Sequence, residues 1–264
     1  RKLSRNTLVD DNKEMFSTGN PQGELSLRTA VGEYLHSARG VDCSPDQILI
    51  GAGSEYLLML LAQILGTDMG IAMENPTYKQ AYRVLQGEGY HVVPVGMDRY
   101  GMDVERLQAS GAMIAYVMPS HQYPTGIVMP VKRRQELLAW AYSGQGRYLI
   151  EDDYDSEFKY TGRPIPALKA NDINDKVIYL GSFSKSISPA IRVSYLVLPK
   201  ELLNIYQKKL PYFICPVPTL NQKILYRFIK DGYFVKHINK MRTLYKKKRE
   251  FLVNTIKKYS RSEE

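Results

Sequence analysis

Lys185 closes the run Ser182-Phe183-Ser184-Lys185, and Arg192 follows seven residues on. An amine condenses with a carbonyl, while a guanidinium and a hydroxyl bind phosphate, so this group suits a phosphorylated aldehyde. A lone lysine after a strand is usually surface charge, so the assignment needs partners elsewhere in the chain. One candidate lies in Tyr148-Leu149-Ile150-Glu151-Asp152-Asp153-Tyr154, an apolar run ending in acids. On a strand, alternation sends Asp152 and Tyr154 to one face and Glu151 and Asp153 to the other. A carboxylate at the end of a buried strand needs a partner, and a protonated ring nitrogen is one, with Tyr154 placed to donate to a phenolic oxygen on the same ring. Solvated acids in a turn, or a magnesium site built on the adjacent aspartates, remain open for these residues alone.

Three further segments could complete such a site. Gly51-Ala52-Gly53-Ser54-Glu55 sits between a predicted strand and a predicted helix, where backbone amides approached through glycine favour an anion. It lacks the lysine of a P-loop and does not complete a dinucleotide fingerprint, so an ordinary helix cap stays open. Tyr78, in Glu74-Asn75-Pro76-Thr77-Tyr78, either stacks on a planar ring or is an ordinary half-buried tyrosine. In Pro119-Ser120-His121-Gln122-Tyr123-Pro124-Thr125-Gly126, His121 reads first as a loop histidine.

The elements that must position these residues follow from residue 45 onward. Strands are predicted over Gln47–Ile50, Gly70–Met73, Tyr90–Val95, Met113–Met118, Arg147–Asp152, Val177–Leu180 and Val193–Leu198, with helices over Ser54–Leu65, Thr77–Gln86 and Val131–Tyr142. Alternating strands and helices predict an α/β fold, a three-layer α/β/α arrangement around a mainly parallel sheet of about seven strands. Ligands of such sheets bind beyond the carboxyl ends of the strands, and every candidate above falls after a strand end. After Pro199 the pattern is helical, and Tyr233 to Tyr259 reads as one helix with Phe234, Ile238, Met241, Tyr245, Leu252 and Ile256 on its apolar face. We therefore expect an α/β domain over residues 1–199 and a helical extension over 200–264.

The 264 residues are 44% apolar, enough for a large core. The apolar stretch Leu57–Leu65 is too short to cross a bilayer, and Arg1 to Arg5 precede no apolar run, so a soluble, cytoplasmic protein without membrane contact is expected. Cys43 and Cys215 are far apart, and neither a disulfide framework nor metal-ligand spacing is present. Residues 200–264 carry 16 Lys or Arg against 5 Asp or Glu, including Lys246-Lys247-Lys248-Arg249. That run is expected to be the solvated face of the long helix and lacks a recognition-helix context for DNA.

Taken in order along the chain, these segments resemble the fold type I enzymes that use pyridoxal 5'-phosphate (PLP). The resemblance is to the aminotransferase-like domain of MocR/GabR-type regulators of the GntR family. The matching stretches are Gly19-Asn20-Pro21-Gln22-Gly23 with Leu27-Arg28, Gly53-Ser54-Glu55, Glu74 to Tyr78, Pro119 to Gly126, Glu151 to Phe158, and Ser182 to Lys185 with Pro189 and Arg192. The resemblance implies that Lys185 holds the cofactor as a Schiff base, Asp152 pairs with the pyridine nitrogen and Tyr154 contacts the ring oxygen. It implies that Tyr78 stacks on the ring, while Ser182, Arg192 and the amides around Gly53, Ser54 and Glu55 hold the phosphate. Homodimers with the site at the subunit interface are usual in such proteins.

The departures are specific. Tyr123 stands where the aminotransferases carry the Asn of an Asn-Pro-Thr-Gly turn, so Gln122 or His121 is expected to take over its contact. Glu55 replaces a frequent Gln, and a carboxylate near a phosphate is unfavourable unless turned away or protonated. Thr18 stands where many relatives place a tyrosine that reaches the neighbouring subunit's phosphate. Relatives of this type also carry an N-terminal winged helix-turn-helix domain that reads DNA and a small C-terminal domain, so the chain is expected to be the large domain of a longer protein. The resemblance implies an effector-sensing domain in which an amino compound displaces Lys185 from the cofactor to form an external aldimine. A free-standing aminotransferase acting on an amino acid, and a nucleotide-binding module using only the Gly53 loop, are the alternatives.

Overall fold

A computed structural model describes Leu3, residues 19–159 and residues 165–260; Thr18 and the basic N-terminal residues Arg1, Lys2 and Arg5 lie outside them. The strands are β1 (Ile48–Gly51), β2 (Ile71–Asn75), β3 (Val92–Asp98), β4 (Gly101–Met102), β5 (Ile114–Val117), β6 (Tyr148–Asp153), β7 (Val177–Ser182) and β8 (Ser194–Val197). They form one sheet in the order β1-β8-β7-β6-β5-β2-β3-β4. From β3 through β2, β5 and β6 to β7 all pairings are parallel, whereas β8 is antiparallel to both β7 and β1. The strand absent from the sequence reading is β4, a two-residue partner of β3 with Met97 opposite Met102; two residues are too few to show a period.

The reversal of β8 matters for the site. Ser182 at the end of β7 pairs with Ser194 at the start of β8. The residues that lead into β8, Arg192 among them, therefore lie at the same edge of the sheet as the carboxyl ends of the parallel strands.

The helices are α1 (Leu25–Arg39), α2 (Ser54–Leu65), α3 (Lys79–Gly87), α4 (Val104–Ala109), α5 (Val131–Tyr142), α6 (Lys200–Lys209), α7 (Thr219–Lys230) and α8 (Tyr233–Ser260). The sheet's side-chain alternation divides them into two layers. Leu49, Ile114, Tyr116, Ile150, Ile178 and Leu196 face α2 and α6 in one core. On the other side, Ile48, Ile50, Tyr179 and Val197 meet α1, α7 and the start of α8, while Ala115, Val117 and Leu149 meet α4 and α5. The three-layer α/β/α architecture follows, with β1, β5 and β8 buried along their whole length as strands covered on both faces must be. Helix α1, unassigned in the sequence reading, buries Leu27, Ala30, Val31 and Leu35 and ends at Gly40 in the left-handed region (φ 70°), as helix C-termini commonly do.

Helix α8 divides along its length. Phe234 and Ile238 are buried, whereas Leu252 and Ile256 are 58% and 57% exposed, so the apolar face expected from the sequence is packed only in its first turns. Met241 and Tyr245 are half-buried, and Lys246 to Arg249 are exposed. Among the described residues no helix is long and apolar enough to cross a membrane.

Candidate functional site

Beyond the carboxyl ends of the parallel strands lies a cavity of about 250 Å3, lined by Ser54, Glu55, Tyr78, Met118, Tyr123, Asp152, Tyr154, Ser182, Ser184, Lys185 and Arg192. Eight of the nine residues singled out from sequence line it. The ninth, Gly53, borders the guanidinium of Arg192: a Cβ at Gly53 would stand 2.2 Å from its Nη2, and the backbone there has φ +104°. Only glycine takes that conformation freely and lets the guanidinium approach so closely.

Lys185 is presented by a turn with two buried anchors. Phe183 is 1% exposed and its N–H donates to the Val193 carbonyl (2.9 Å), while Ser186 is also 1% exposed. Between them Ser184 and Lys185 rim the cavity, with Lys185 exposed. The Ser182 hydroxyl accepts from the Ser184 N–H (3.1 Å) and from the Ser194 hydroxyl (3.0 Å), which fixes the start of this turn. Helix α8 supports its far end through the His237 ring nitrogen, 3.0 Å from the Ser186 carbonyl.

Asp152 emerges from β6 on the α2 side of the sheet and is 7% exposed. Its hydrogen-bond donor is the fully buried Tyr116 on β5. Burial pushes the Asp152 carboxyl up to about 7, reinforced by Asp153, Asp155 and Glu55 and opposed by the Tyr116 hydrogen bond. Among the described residues no cationic side chain neutralises it within hydrogen-bond reach, so a cation held in the cavity would complete it. Tyr154, two residues further along the chain, also has its hydroxyl pKa raised, by burial and then by Asp155 and Asp152.

The neighbouring acids of β6 behave otherwise. Asp153 accepts from Arg39 Nε (2.7 Å) and from the Tyr179 hydroxyl, and Glu151 accepts from the N–H groups of Leu168 (2.7 Å) and Lys169 (2.9 Å). All three acids are buried, which removes the reading of solvated acids in a turn. They point to opposite faces as strand alternation requires, so adjacent aspartates do not converge on one ion.

Arg192 precedes β8 in the left-handed region (φ 48°). Its Nη2 lies 2.7 Å from Glu55 Oε2 and 3.4 Å from the Ala52 carbonyl. Burial raises the Glu55 carboxyl pKa, but the hydrogen bond from Arg192, a backbone hydrogen bond and the charge of Arg192 together outweigh this and leave it below its ordinary value. Glu55 is thus neither turned away from the anion cradle nor protonated, as the sequence reading required; it is ionised and paired with Arg192.

Neither His121 nor Gln122 takes the place expected for the missing asparagine. Gln122 is 2% exposed and its amide is consumed by the loops. Nε2 donates to the carbonyls of Pro76 and Tyr123 (both 2.8 Å), and Oε1 accepts from the N–H (3.1 Å) and hydroxyl (2.5 Å) of Thr125. His121 pairs with Asp155 (2.7 Å) and lies along a separate cavity, its ring stacked 6.3 Å from that of Tyr154. Tyr123 itself faces the cavity and meets Tyr78 edge to face at 5.8 Å. Sequence reasoning also missed Tyr116, whose signal was a hydroxyl within the apolar run of β5, and Met118 and Ser184, which carried none.

The profile of the family aminotransferase class I and II matches residues 2–262. An uncharacterized HTH-type transcriptional regulator, YdeL of Bacillus subtilis, is 39% identical over 98% of this chain and 56% of its own length. The probable rhizopine catabolism regulatory protein MocR of Rhizobium meliloti is 33% identical over 92% of this chain and 48% of its own. Among solved structures, the kynurenine aminotransferase of Pyrococcus horikoshii, in complex with PMP and kynurenine, superposes with a TM-score of 0.85 at 27% identity, over 97% of this chain and 66% of that one. The multiple substrate aminotransferase of Thermococcus profundus gives 0.86 at 27% identity, over 98% and 66%. The chain spans about half the length of these curated regulators.

Proposed function

The chain belongs to the class I and II aminotransferase family, and from that premise we propose that it is a PLP-binding, effector-sensing domain of a MocR-type transcriptional regulator. The observation that carries this is one cavity rimmed by Lys185, Asp152 and the Arg192–Gly53 cradle, drawn from β6, the β7–β8 turn and the start of α2. The residues suit the cofactor. Among the described residues Asp152 is a buried carboxyl without a cationic partner and Ser184 Oγ a buried hydroxyl without a hydrogen-bond partner, and Gly53 leaves room at the anion cradle.

PLP, when bound, supplies an aldehyde for an amine and a pyridine ring that draws electrons from the carbon beside it. Lys185 Nζ would be the amine that holds the aldehyde, and the group that an amino compound would displace. Asp152 keeps a proton on the ring nitrogen, and Tyr116 keeps Asp152 aligned. Tyr154 would donate to the ring oxygen, Tyr78 and Tyr123 would cover the ring and restrict water, and Ser182, Ser54 and Arg192 would hold the phosphate. Two copies are expected to associate, and contact with DNA is assigned to a separate N-terminal domain of the whole regulator.

The regulator reading draws on the 33–41% identity to two HTH-type transcriptional regulators and a catabolism regulatory protein, each over at least nine-tenths of this chain. The solved neighbours are enzymes, so the second reading is a complete aminotransferase in which Lys185 moves the proton from substrate carbon to cofactor. Keto acid released over many turnovers would select that reading. The first test is the visible spectrum with PLP: an absorbance band should develop, be made permanent by borohydride, and be missing in Lys185→Ala. Identical spectra for the two proteins would overturn the site.

A further inference from the structure

The phosphate cradle of this chain already contains an anion of its own. Glu55 sits in the first turn of α2, where amide dipoles favour negative charge, and its carboxylate reaches Nη2 of Arg192 at 2.7 Å. A Cβ built on Gly53 would lie 2.2 Å from that nitrogen and 3.0 Å from Glu55 Oε2, so cation and carboxylate are stacked against the glycine that opens the cradle. The pair is half open to solvent, the Arg192 side chain being 52% exposed. Glu55 side-chain exposure is 29%, and its charge is felt by both Tyr78 and Asp152 across the cavity.

We propose that Glu55 is an internal competitor for Arg192 that weakens the hold of this cavity on a phosphate group and so sets the cofactor affinity of the domain. The inference rests on the reading that the cavity takes a phosphorylated aldehyde. A phosphate entering the cradle must either take Arg192 from Glu55 or share it, and both routes cost. The first breaks a charge-assisted hydrogen bond, and the second places two like charges side by side. Glutamine at the same position keeps the side-chain shape and an acceptor for Arg192 but removes the repulsion. Occupancy of such a domain would follow cofactor supply rather than remain saturated.

The test compares wild type, Glu55→Gln and Glu55→Ala with three probes: PLP, pyridoxal and inorganic phosphate. Pyridoxal carries the same aldehyde without the phosphate, so the ratio of the two apparent Kd values, read from the visible band, isolates the cradle. Glu55→Gln should tighten PLP by about tenfold, the order expected for one hydrogen bond to a charged group, and leave pyridoxal unchanged; Glu55→Ala should shift in the same direction. Inorganic phosphate, titrated by calorimetry, should also bind more tightly to both variants. A PLP-to-pyridoxal ratio that is unchanged or reversed, or equal phosphate affinity in wild type and both variants, overturns the inference. Failure of the underlying reading looks different: wild type develops no band with either aldehyde, and the phosphate titrations still decide the role of Glu55.

Discussion

Asp152 and Asp153 are neighbours on one strand, both buried, yet they belong to different worlds. Asp153 points towards α1 and is paired with Arg39 and Tyr179; Asp152 points towards α2 and, among the described residues, its side chain is hydrogen-bonded only by the neutral hydroxyl of Tyr116. Arg39 shows the strength of the first arrangement: burial lowers its pKa, but Asp153, Tyr179 and Glu151 together more than reverse this. One face of β6 has thus paired its charge internally, through Asp153 Oδ2 with Oδ1 left without a hydrogen bond among the described residues, and the other presents a carboxyl that a cation from outside would complete. The difference identifies which acid is structural and which serves a ligand, a distinction that residue type alone does not make.

The comparison breaks most visibly at Arg39. Replacing it by leucine leaves Asp153 buried without its cation, and removing one partner of a buried ion pair costs about 3–5 kcal/mol. Chemical denaturation of Arg39→Leu should therefore show a large fall in midpoint with little change in slope. If the loss is below about 1 kcal/mol, the scale of an exposed pair, the far face of β6 is not the closed structural network described.

Asp152 should give the opposite sign. Its folded-state pKa lies above the unfolded value, being pushed up to about 7 from 3.8. Between those values the native state holds a proton that the unfolded chain has released, so the group's contribution falls as pH rises from about 4 to about 7 and is level above. Asp152→Asn removes that penalty. Without cofactor, the variant should be more stable than wild type at pH 8 by at most about 4 kcal/mol, the full shift taken at 1.36 kcal/mol per unit, and the advantage should shrink towards pH 4. Glu74 and Glu157 are also pushed up to about 7 by burial, so the difference between variant and wild type, not the wild-type curve, carries the information. Lower stability at pH 8 would show that Asp152 is satisfied as it stands.

The sheet was legible because its strands carry long apolar runs between turn residues, and α2 and α5 fall where their apolar spacing put them. The nine candidate positions could be singled out because they lie at or just beyond the carboxyl end of a strand, or on the turn into β8. What was hidden depends on partners far along the chain. The Glu55–Arg192 pair spans 137 residues, and nothing in either segment announces it. The reversal of β8, which brings Arg192 to the site, is set by pairing with β1 and β7 rather than by its own residues. Amphipathic spacing in α8 named the apolar positions correctly, but whether a surface exists to cover them is no property of the helix: Phe234 has one and Ile256 does not.

Tyr116 sharpens the comparison with the smallest expected change. It belongs by its apolar neighbours to the α2-side core, and its ring would pack equally well as phenylalanine; only the hydroxyl distinguishes a ligand for Asp152 from filler. Deleting that hydroxyl removes a donor that lowers the Asp152 pKa, so Tyr116→Phe should raise that pKa further and move the pH dependence of stability upward. At pH 8 it should cost about 1–3 kcal/mol, the penalty for stripping a hydrogen bond from a buried charged group. At pH 4 the cost should be smaller, because a protonated Asp152 forms weaker hydrogen bonds than an ionised one. The double variant with Asp152→Asn then decides the matter. If the Tyr116→Phe penalty is unchanged when Asp152 can no longer ionise, the hydroxyl serves packing and the two faces of β6 differ less than their contacts indicate. If it falls by half or more, the coupling between the two residues places Tyr116 as the group that holds the carboxylate ready for a cation.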